Sequence, residues 1–317
     1  MKHILLAVIA LLGAALLLLP WMPPTWAGSL IFLSLGAVPF MLLQLVIAGI
    51  LYAKKEHLWR WIYIGLCAAN IPLMCHYCPS QSEPKEASGC SLTLVSWNVT
   101  NFHISADTLQ AAAAYLRSLQ PDIICLQEVP HNNLLRWDSI RAAFPEHRYS
   151  YKNRRDDEVL NLGVLSKYPL SEVRTWYFAH SYNKMADLRV STPQGTFRLW
   201  NVHLQTTGSP DRFADNARQR NRQASLLRQQ TESDSLPALI CGDFNDTPSS
   251  YAYRLLKQGR SDAYRERGQQ FTGSYQPMGK WVRIDYLLCP DRLRVLRYDL
   301  LPNTWSDHKI QLATIEL

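Results

Sequence analysis

The sequence predicts an α/β domain of packed sheets flanked by helices, set behind an N-terminal transmembrane helical region. Three observations carry this. Uncharged apolar runs crowd residues 1–78. From about residue 91 the chain breaks into short apolar runs of strand length, bounded by Pro, Gly, Asn and Asp. Those runs follow neither a regular βαβ order nor a series of short hairpins, and few helices separate them, which suits stacked sheets covered by helices.

Residues 4–19 and 27–53 contain no charged side chain. The first run is near the lower limit for crossing a bilayer and the second exceeds the length needed. Residues 61–78 lack Lys, Arg, Asp and Glu but hold Asn70, Pro72 and His76, which makes them the weakest of the three. Lys2, His3 and the first run also have the outline of a signal peptide. However, "PWMPPTWAGS" leads straight into a longer apolar run that a cleaved secreted protein would not need, so residues 1–78 read as a retained anchor of two or three spans. Lys54, Lys55 and Arg60 cluster between the second and third runs while loop 20–28 is uncharged, which puts the cluster on the cytoplasmic side. Three spans then place everything after Cys78 outside, in a periplasm or at the cell surface. If the third run only lies in the interface, the large domain is cytoplasmic. The extracytoplasmic placement is the one carried forward, and Trp59, Trp61 and Tyr63 suit an interfacial belt either way.

Residues 79–90 are polar, rich in turn formers and without periodicity, and read as a linker to a domain over 91–317. Five of the 33 basic and three of the 26 acidic residues precede Ser91, leaving 28 against 23 in that domain. So mild a bias suits an anionic substrate or lipid headgroups and falls short of a nucleic-acid signature. Seven cysteines, an odd number, make no disulfide framework. Cys125, Cys241 and Cys289 sit in apolar strands as inert core residues. Cys75 and Cys78 of "CHYC" are the one close pair, open to a disulfide in an oxidising compartment and less favourably to a metal, since no further ligands are in view.

Seven strand runs follow in order: "SLTLVSWNV", "PDIICLQEV", "LGVLSKYPL", "TFRLWNVHL", "LPALICGDF", "RIDYLLCP" and "KIQLATIEL". Between the first two, "SADTLQAAAAYLRSLQP" predicts a helix capped by Ser105 or Asp107 and stopped by Pro121. A second helix is expected over 215–230, with Leu226 and Leu227 on the apolar side and its arginines on a solvated face. A third begins in "DTPSSYAYRLLKQG", with Pro248 early and Gly259 ending the run.

Polar residues then gather at the ends of these strands: Asn98, Glu128, His203, Asp243 with Asn245, Asp285, and Asp307 with His308. Any one alone reads as a strand terminator or turn former. Brought to a common sheet edge, together they supply acids, amides and two imidazoles. The stretch "LICGDFNDTPSS" sharpens the point, because carboxylates at the end of a buried strand lose hydration and call for a binding partner. Asp246 in the same stretch suits a loop or helix start.

The carboxylates of Glu128, Asp243 and Asp307, with the amide oxygens of Asn98 and Asn245, are hard donors that suit Mg2+ or Mn2+ better than zinc. Phosphoester hydrolysis needs charge neutralisation on the phosphoryl oxygens, an activated water and help for the leaving oxygen. His308 and His203 are candidates for proton transfer, with Asp285 orienting one imidazole.

In that order, "SWNV", "CLQEV", "LGVLSKYP", "NVHLQ", "GDFND", "RIDYLL" and "SDH" resemble the endonuclease/exonuclease/phosphatase superfamily. This is the DNase I-like group, which also includes exonuclease III, sphingomyelinases and inositol polyphosphate 5-phosphatases. The likeness covers roughly residues 92–317, and "RNRQA" with "DTPSSYAYRLL" is similar to a membrane-anchored bacterial branch. The resemblance implies a four-layer α/β sandwich and a divalent ion. It implies Glu128 as principal metal ligand with Asn98 beside it, Asp243 positioning or deprotonating the attacking water, and Asn245 contacting the scissile phosphate. His308, paired with Asp285, would stabilise the phosphate or transfer a proton. Asp307 would be a second ligand or a support for His203, which resembles the additional histidine of the DNase I and sphingomyelinase branches. The tyrosine of abasic-site nucleases has no counterpart in "SYNKMADLRV", which counts against abasic-site repair.

The function expected is a membrane-anchored, metal-dependent phosphodiesterase or phosphatase acting on nucleic acid, a phospholipid headgroup or a phosphosugar. The competing expectation is a catalytically silent protein that binds a phosphorylated ligand or partner. It predicts the loss of an essential group, whereas Glu128, Asp243, Asn245, Asp285 and His308 are all present.

Overall fold

The computed structural model describes residues 1–87, 89–100, 106–130, 137–153 and 159–317. Four helices come first: α1 (Lys2–Leu18), the single turn α2 (Pro24–Ala27), α3 (Ala37–Ala53) and α4 (His57–Cys75). Lys2 ion-pairs with Glu56, and the Trp59 indole N–H donates to His3 Nδ1 at 2.8 Å, so α1 and α4 start side by side. At that end Leu6, Leu51 and Tyr63 pack together; at the other end Leu16, Val38 and Leu73 do. The pairings make an up-down-up bundle.

The bundle departs from the sequence reading in three places. The run 27–53 is not one helix, because Gly28–Ser34 winds as tight 3-10 turns ahead of α3. The 17 residues of α3 span ~25 Å at 1.5 Å each, short of a hydrocarbon layer of ~30 Å. By contrast the run expected to be weakest is helical from His57 to Cys75 with Pro72 inside it, and it joins Lys2–Trp21 as a stretch long and apolar enough to cross a membrane. Tyr63 does not sit in a belt: it is buried, and its hydroxyl donates to Leu6 O at 2.9 Å.

Beyond the bundle the described residues form twelve strands: β1 (Ser91–Asn98), β2 (Ile123–Val129), β3 (Tyr149–Lys152), β4 (Asn161–Ser166), β5 (Leu170–Tyr177), β6 (Lys184–Thr192), β7 (Gly195–His203), β8 (Ala238–Asp243), β9 (Arg260–Asp262), β10 (Asp285–Pro290), β11 (Arg294–Leu301) and β12 (Ile310–Glu316). Helices α5 (Ala106–Ser118), α6 (Trp137–Ala142), α7 (Phe213–Ser233), α8 (Tyr251–Lys257) and α9 (Ala263–Arg267) interrupt them. One sheet has the order β11-β12-β1-β2-β4-β3 and the other β5-β6-β7-β8-β10-β9.

The sheets face each other across Leu94, Ile123, Val164, Leu199, Cys241 and Leu287. Helices α5 and α6 cover the outer face of the first sheet through Leu109, Leu116 and Ile140, and α7 and α8 cover that of the second through Leu227 and Leu256. This is the four-layer sandwich. It explains the near-continuous apolar runs: in β1, Leu92 and Leu94 enter the inner core while Val95 and Trp97 meet the helices, so both faces of the strand are buried.

Cys125, Cys241 and Cys289 lie buried in the inner core, and Cys75 and Cys78 are free thiols. Helix α8 starts later than the sequence suggested. The Ser250 side chain caps it by accepting the Tyr253 N–H at 3.1 Å, which leaves Pro248 outside. Ser105, one of the two caps expected for α5, lies outside the described residues.

Residues 79–87 run along the domain surface, with Gln81 N–H donating to Gly268 O at 3.0 Å and Lys85 N–H to Leu296 O at 3.0 Å. The bundle itself abuts the domain. Phe32 stacks on Phe213 at 5.3 Å, the Thr247 hydroxyl donates to Ser34 O at 3.0 Å, and the Arg283 guanidinium donates to His76 O at 3.0 Å.

Candidate active site

Two strand pairs, β1 with β2 and β7 with β8, run parallel and end at the same edge of the sandwich. Register does the rest in the second sheet: Lys184, His203, Asp243 and Asp285 lie directly opposite one another across β6, β7, β8 and β10. In the facing sheet Asn98 ends β1, and Glu128 sits where the pairing of β2 with β4 shifts register, at φ 54°. Such a bulge re-aims a side chain, here toward the opposite sheet. Gly242 is required by close approach: at its φ of 130°, a Cβ would lie 2.0 Å from Val202 O on β7.

All eight residues singled out in the sequence converge. Asn98 Nδ2 donates to Glu128 Oε1 at 3.1 Å and to Asp243 Oδ2 at 3.0 Å, tying the sheets together. Its Oδ1 accepts the Thr100 N–H at 3.0 Å, so the amide presents its nitrogen to the acids. The Asn245 N–H donates to Asp243 Oδ1 at 2.7 Å, and its side chain donates to Leu204 O at 3.0 Å. His308 Nδ1 is 2.9 Å from Asp285 Oδ2, while its Nε2 lies 3.8 Å from Asp243 and 3.9 Å from Asp307. His203 Nε2 stands 3.7 Å from both Glu128 and Asp243. The Thr100 hydroxyl holds Asp307, and Ser274 Oγ accepts the Asp285 N–H at 3.0 Å.

Burial and mutual repulsion set the electrostatics. Burial, reinforced by Asp285 and opposed by His308, pushes Asp243 up to about 7. Burial also raises Glu128 against the hydrogen bond from Asn98. For His308 burial works downward, but Asp285 and Asp243 prevail and raise it to about 10, so at neutral pH it is an imidazolium. His203 goes the opposite way, lowered to about 3 by burial and then by His308 and Lys184, and stays neutral. Ligand atoms of Asp243, Asp285 and His308 fall within 4.8 Å of one another. His308 Nδ1 is engaged by Asp285, which leaves its Nε2 toward Asp243 and Asp307.

The acids of the cleft differ from other buried acids of the domain. Asp187 is paired with Arg198, Asp246 with Arg220 Nε at 2.8 Å, and Asp262 with Arg283 at 2.8 Å. Among the described residues no Lys or Arg pairs with Glu128, Asp243 or Asp307; their ionic neighbours are His203 and His308. Asp246 is thus a structural acid facing α7. The matching correction is Arg220, which was expected on a solvated face and is instead buried.

Three residues of the site had no sequence signal. Lys184 is buried beside His203, with Nζ donating to Val159 O at 2.8 Å and Leu160 O at 3.1 Å. Tyr275 places its ring 5.2 Å from that of His308 and lines the cleft. Its segment lies far from "SYNKMADLRV", where Tyr182 is exposed. Leu35, from the turn before α3, lines the same cavity of about 400 Å³, which also has Leu160, Phe213, Met278 and Val282 in its apolar wall.

A sequence model described as "Endonuclease/Exonuclease/phosphatase family" matches residues 95–308. No curated protein matches the chain. Among solved structures, an endonuclease/exonuclease/phosphatase from Bacteroides vulgatus is 20% identical with a TM-score of 0.58, covering 72% of this chain and 100% of that one. TDP2 of D. rerio, complexed with single strand DNA product, is 17% identical with a TM-score of 0.59 over 72% of this chain and 100% of its own. The human Nocturnin catalytic domain with bound sulfate is 16% identical with a TM-score of 0.59, covering 75% and 98%. At these identities the likeness is one of fold.

Proposed function

The chain belongs to the endonuclease/exonuclease/phosphatase family, and we propose that it is a membrane-anchored, divalent-metal-dependent phosphoester hydrolase that attacks phosphate with an activated water. One observation carries the proposal: the cleft gathers Glu128, Asp243 and Asp307 without a Lys or Arg partner among the described residues, in a domain that pairs other buried acids with arginine. Such carboxylates await a cation, and oxygen donors of this kind fit Mg2+ or Mn2+. Glu128 and Asp307 would hold the ion, with Asn98 fixing the distance between Glu128 and Asp243. When bound, the ion supplies charge neutralisation at the phosphoryl oxygens.

The protein's own groups divide the remaining work. Asp243, raised to about 7, is poised to accept a proton from water near neutral pH. Its Oδ1 is fixed by the Asn245 N–H, and its Oδ2 accepts from Asn98 while lying 3.7 Å from His203 and 3.8 Å from His308. His308, cationic and oriented by Asp285, offers its Nε2–H to a phosphate oxygen or the leaving group. Asn245 has a second side-chain N–H besides the one given to Leu204, available to the phosphate. His203, neutral, borders the acids without adding charge.

Anchoring is supported by the exposed apolar coat of the bundle, including Ile4, Leu11, Leu45, Val46 and Ile71, which water would disfavour. Lys54, Lys55 and Arg60 lie at the end away from the domain, which favours an extracytoplasmic cleft. The apolar wall, with Leu35 from the anchor, favours a phosphoester that carries an apolar group, such as a phospholipid headgroup, over nucleic acid or a phosphosugar.

The test uses the purified full chain in detergent with a generic phosphodiester and a phosphomonoester, in Mg2+, in chelator and with His308→Ala. Metal-dependent turnover lost in the variant is the expected result. Asp243→Asn separates catalysis from mere binding: a hydrolase loses turnover, whereas a silent binding protein would have none to lose and keeps its ligand.

A further inference from the structure

A second cavity, of about 410 Å³, lies where the domain-side ends of α1 and α4 meet α8. None of its lining residues belongs to the catalytic cleft. Its two walls differ in kind. Leu17, Pro20, Ala69 and Leu73 make an apolar wall from the bundle, while Arg254 and Lys257, one turn apart on α8, face it from the domain.

Both cations are half-buried, and among the described residues neither pairs with a carboxylate. Arg254 gives its Nε–H to Pro20 O at 2.5 Å and lies over the Trp21 ring, 4.2 Å from the centroid. Among the described residues its Nη nitrogens make no hydrogen bond, and the Tyr251 ring lies 5.4 Å from the guanidinium. At the rim, His76 is pushed down to about 4, chiefly by burial and secondarily by Arg265 and Lys257.

We propose that this cavity holds one anionic phospholipid, its phosphate against Arg254 and Lys257 and an acyl chain in the groove between α1 and α4. Half-buried cations without counterions cost solvation, which a phosphate restores. A free phosphate would satisfy the cations and leave the apolar wall uncovered, whereas an amphiphile meets both. Position agrees: Trp21, 65% exposed, sits at the end of the span Lys2–Trp21, the level at which headgroups and aromatic belts lie. The inference rests on α1 and α4 crossing a membrane and is independent of the catalytic assignment.

The experiment is native mass spectrometry of the full chain released from detergent, with dioctanoyl phosphatidylglycerol, dioctanoyl phosphatidylcholine or inorganic phosphate. The expected result is a one-to-one phosphatidylglycerol adduct, about tenfold weaker with phosphatidylcholine and not displaced by phosphate. Lys257→Glu, which reverses the charge, and Ala69→Trp, which fills the groove, should each weaken it about tenfold. Both variants should keep the wild-type unfolding midpoint in detergent, which shows that they fold. An adduct unchanged in both variants, or equal for the two lipids, overturns the proposal; displacement by phosphate reduces the site to an anion site and overturns the lipid. Flotation with phosphatidylcholine vesicles separates the premises. A chain that does not float loses the anchor and this site together, while one that floats without a Lys257-dependent adduct loses this site alone.

Discussion

Asp285→Asn acts on two titrating groups at once, and in the same direction. In the native site Asp285 Oδ2 lies 2.9 Å from His308 Nδ1, and His308 stands near 10 only because Asp285 and Asp243 outweigh burial. Without that charge, burial is the leading influence and drives His308 toward or below its ordinary 6.5. Asp243, held at about 7 by burial and then by repulsion from Asp285, falls as well. At pH ~7.5 an imidazole of pKa ~6.5 is protonated in only about one molecule in ten, so kcat/KM should drop about tenfold or more where the imidazolium is the working form. The assay is a pH profile of kcat/KM for the full chain on a chromogenic diester with Mg2+. Wild type should show an acid limb set chiefly by Asp243 and an alkaline limb set chiefly by His308, each a property of the coupled site. Bound cation lowers the acid limb in both proteins and leaves the direction of change intact. In the variant both limbs should move to lower pH. A profile scaled down with both limbs in place would refute the electrostatic account and leave Asp285 only an orienting role.

Four further outcomes are expected. In the metal-free chain His308 has a folded value of about 10 against an ordinary 6.5 and Asp243 about 7 against 3.8, so above about pH 6.5 the folded state holds extra protons, while below it the lowered His203 and His76 work in the opposite sense to Asp243. Stability should therefore fall as pH rises from about 6.5 to about 10, with Mg2+ restoring it above neutrality; a Tm flat over that range contradicts the shifts. Gly242→Ala forces a Cβ to 2.0 Å from Val202 O at φ 130° and should cost ~3 kcal/mol or more, read as a lowered unfolding midpoint. Asp246→Ala leaves the buried Arg220 unpaired and should cost ~3–5 kcal/mol while sparing the pH profile; a shifted profile would place Asp246 in the chemistry. Leu35→Ala should raise KM several-fold for an ester bearing an acyl chain, as expected for ~1–2 kcal/mol of lost apolar contact, and leave a short soluble ester unaffected.

Much of the sandwich was legible because its central strands are buried on both faces. β1, β2, β8, β10 and β12 announce themselves as apolar runs, and the acids that follow them stand out by contrast. β6 hides for the opposite reason. Its Lys184 and Asp187 are buried, but Asp187 is neutralised by Arg198 on β7, a pairing that exists only once the register is known. β5 hides as an edge strand with much of its side-chain surface exposed, and β3 and β9 are too short to show periodicity. Tyr275 and Leu35 reach the cleft from segments whose local pattern says nothing of strand ends: one bridges to His308 from a loop, and the other arrives from the N-terminal bundle, more than 60 residues before the first site residue, Asn98.

The two acids of "GDFND" show what sequence adjacency leaves undecided. Asp243 and Asp246 lie three positions apart, the one read as a site residue and the other as a loop or helix start. Strand β8 ends at Asp243, Asn245 adopts φ 53°, and the chain turns, so the two carboxylates face opposite ways. Asp246 meets Arg220, 26 residues back on α7, and is neutralised by the protein itself. Asp243 meets Asn98, two imidazoles and another acid, and among the described residues no Lys or Arg. A buried acid supplied with an internal arginine contributes to architecture, whereas one denied it keeps an electrostatic demand that only a bound ion or a proton can meet. That distinction rests on the countercharge and not on the acid, which is why the motif pointed to the site while the arginines of the surrounding fold decide which of its residues belong to it.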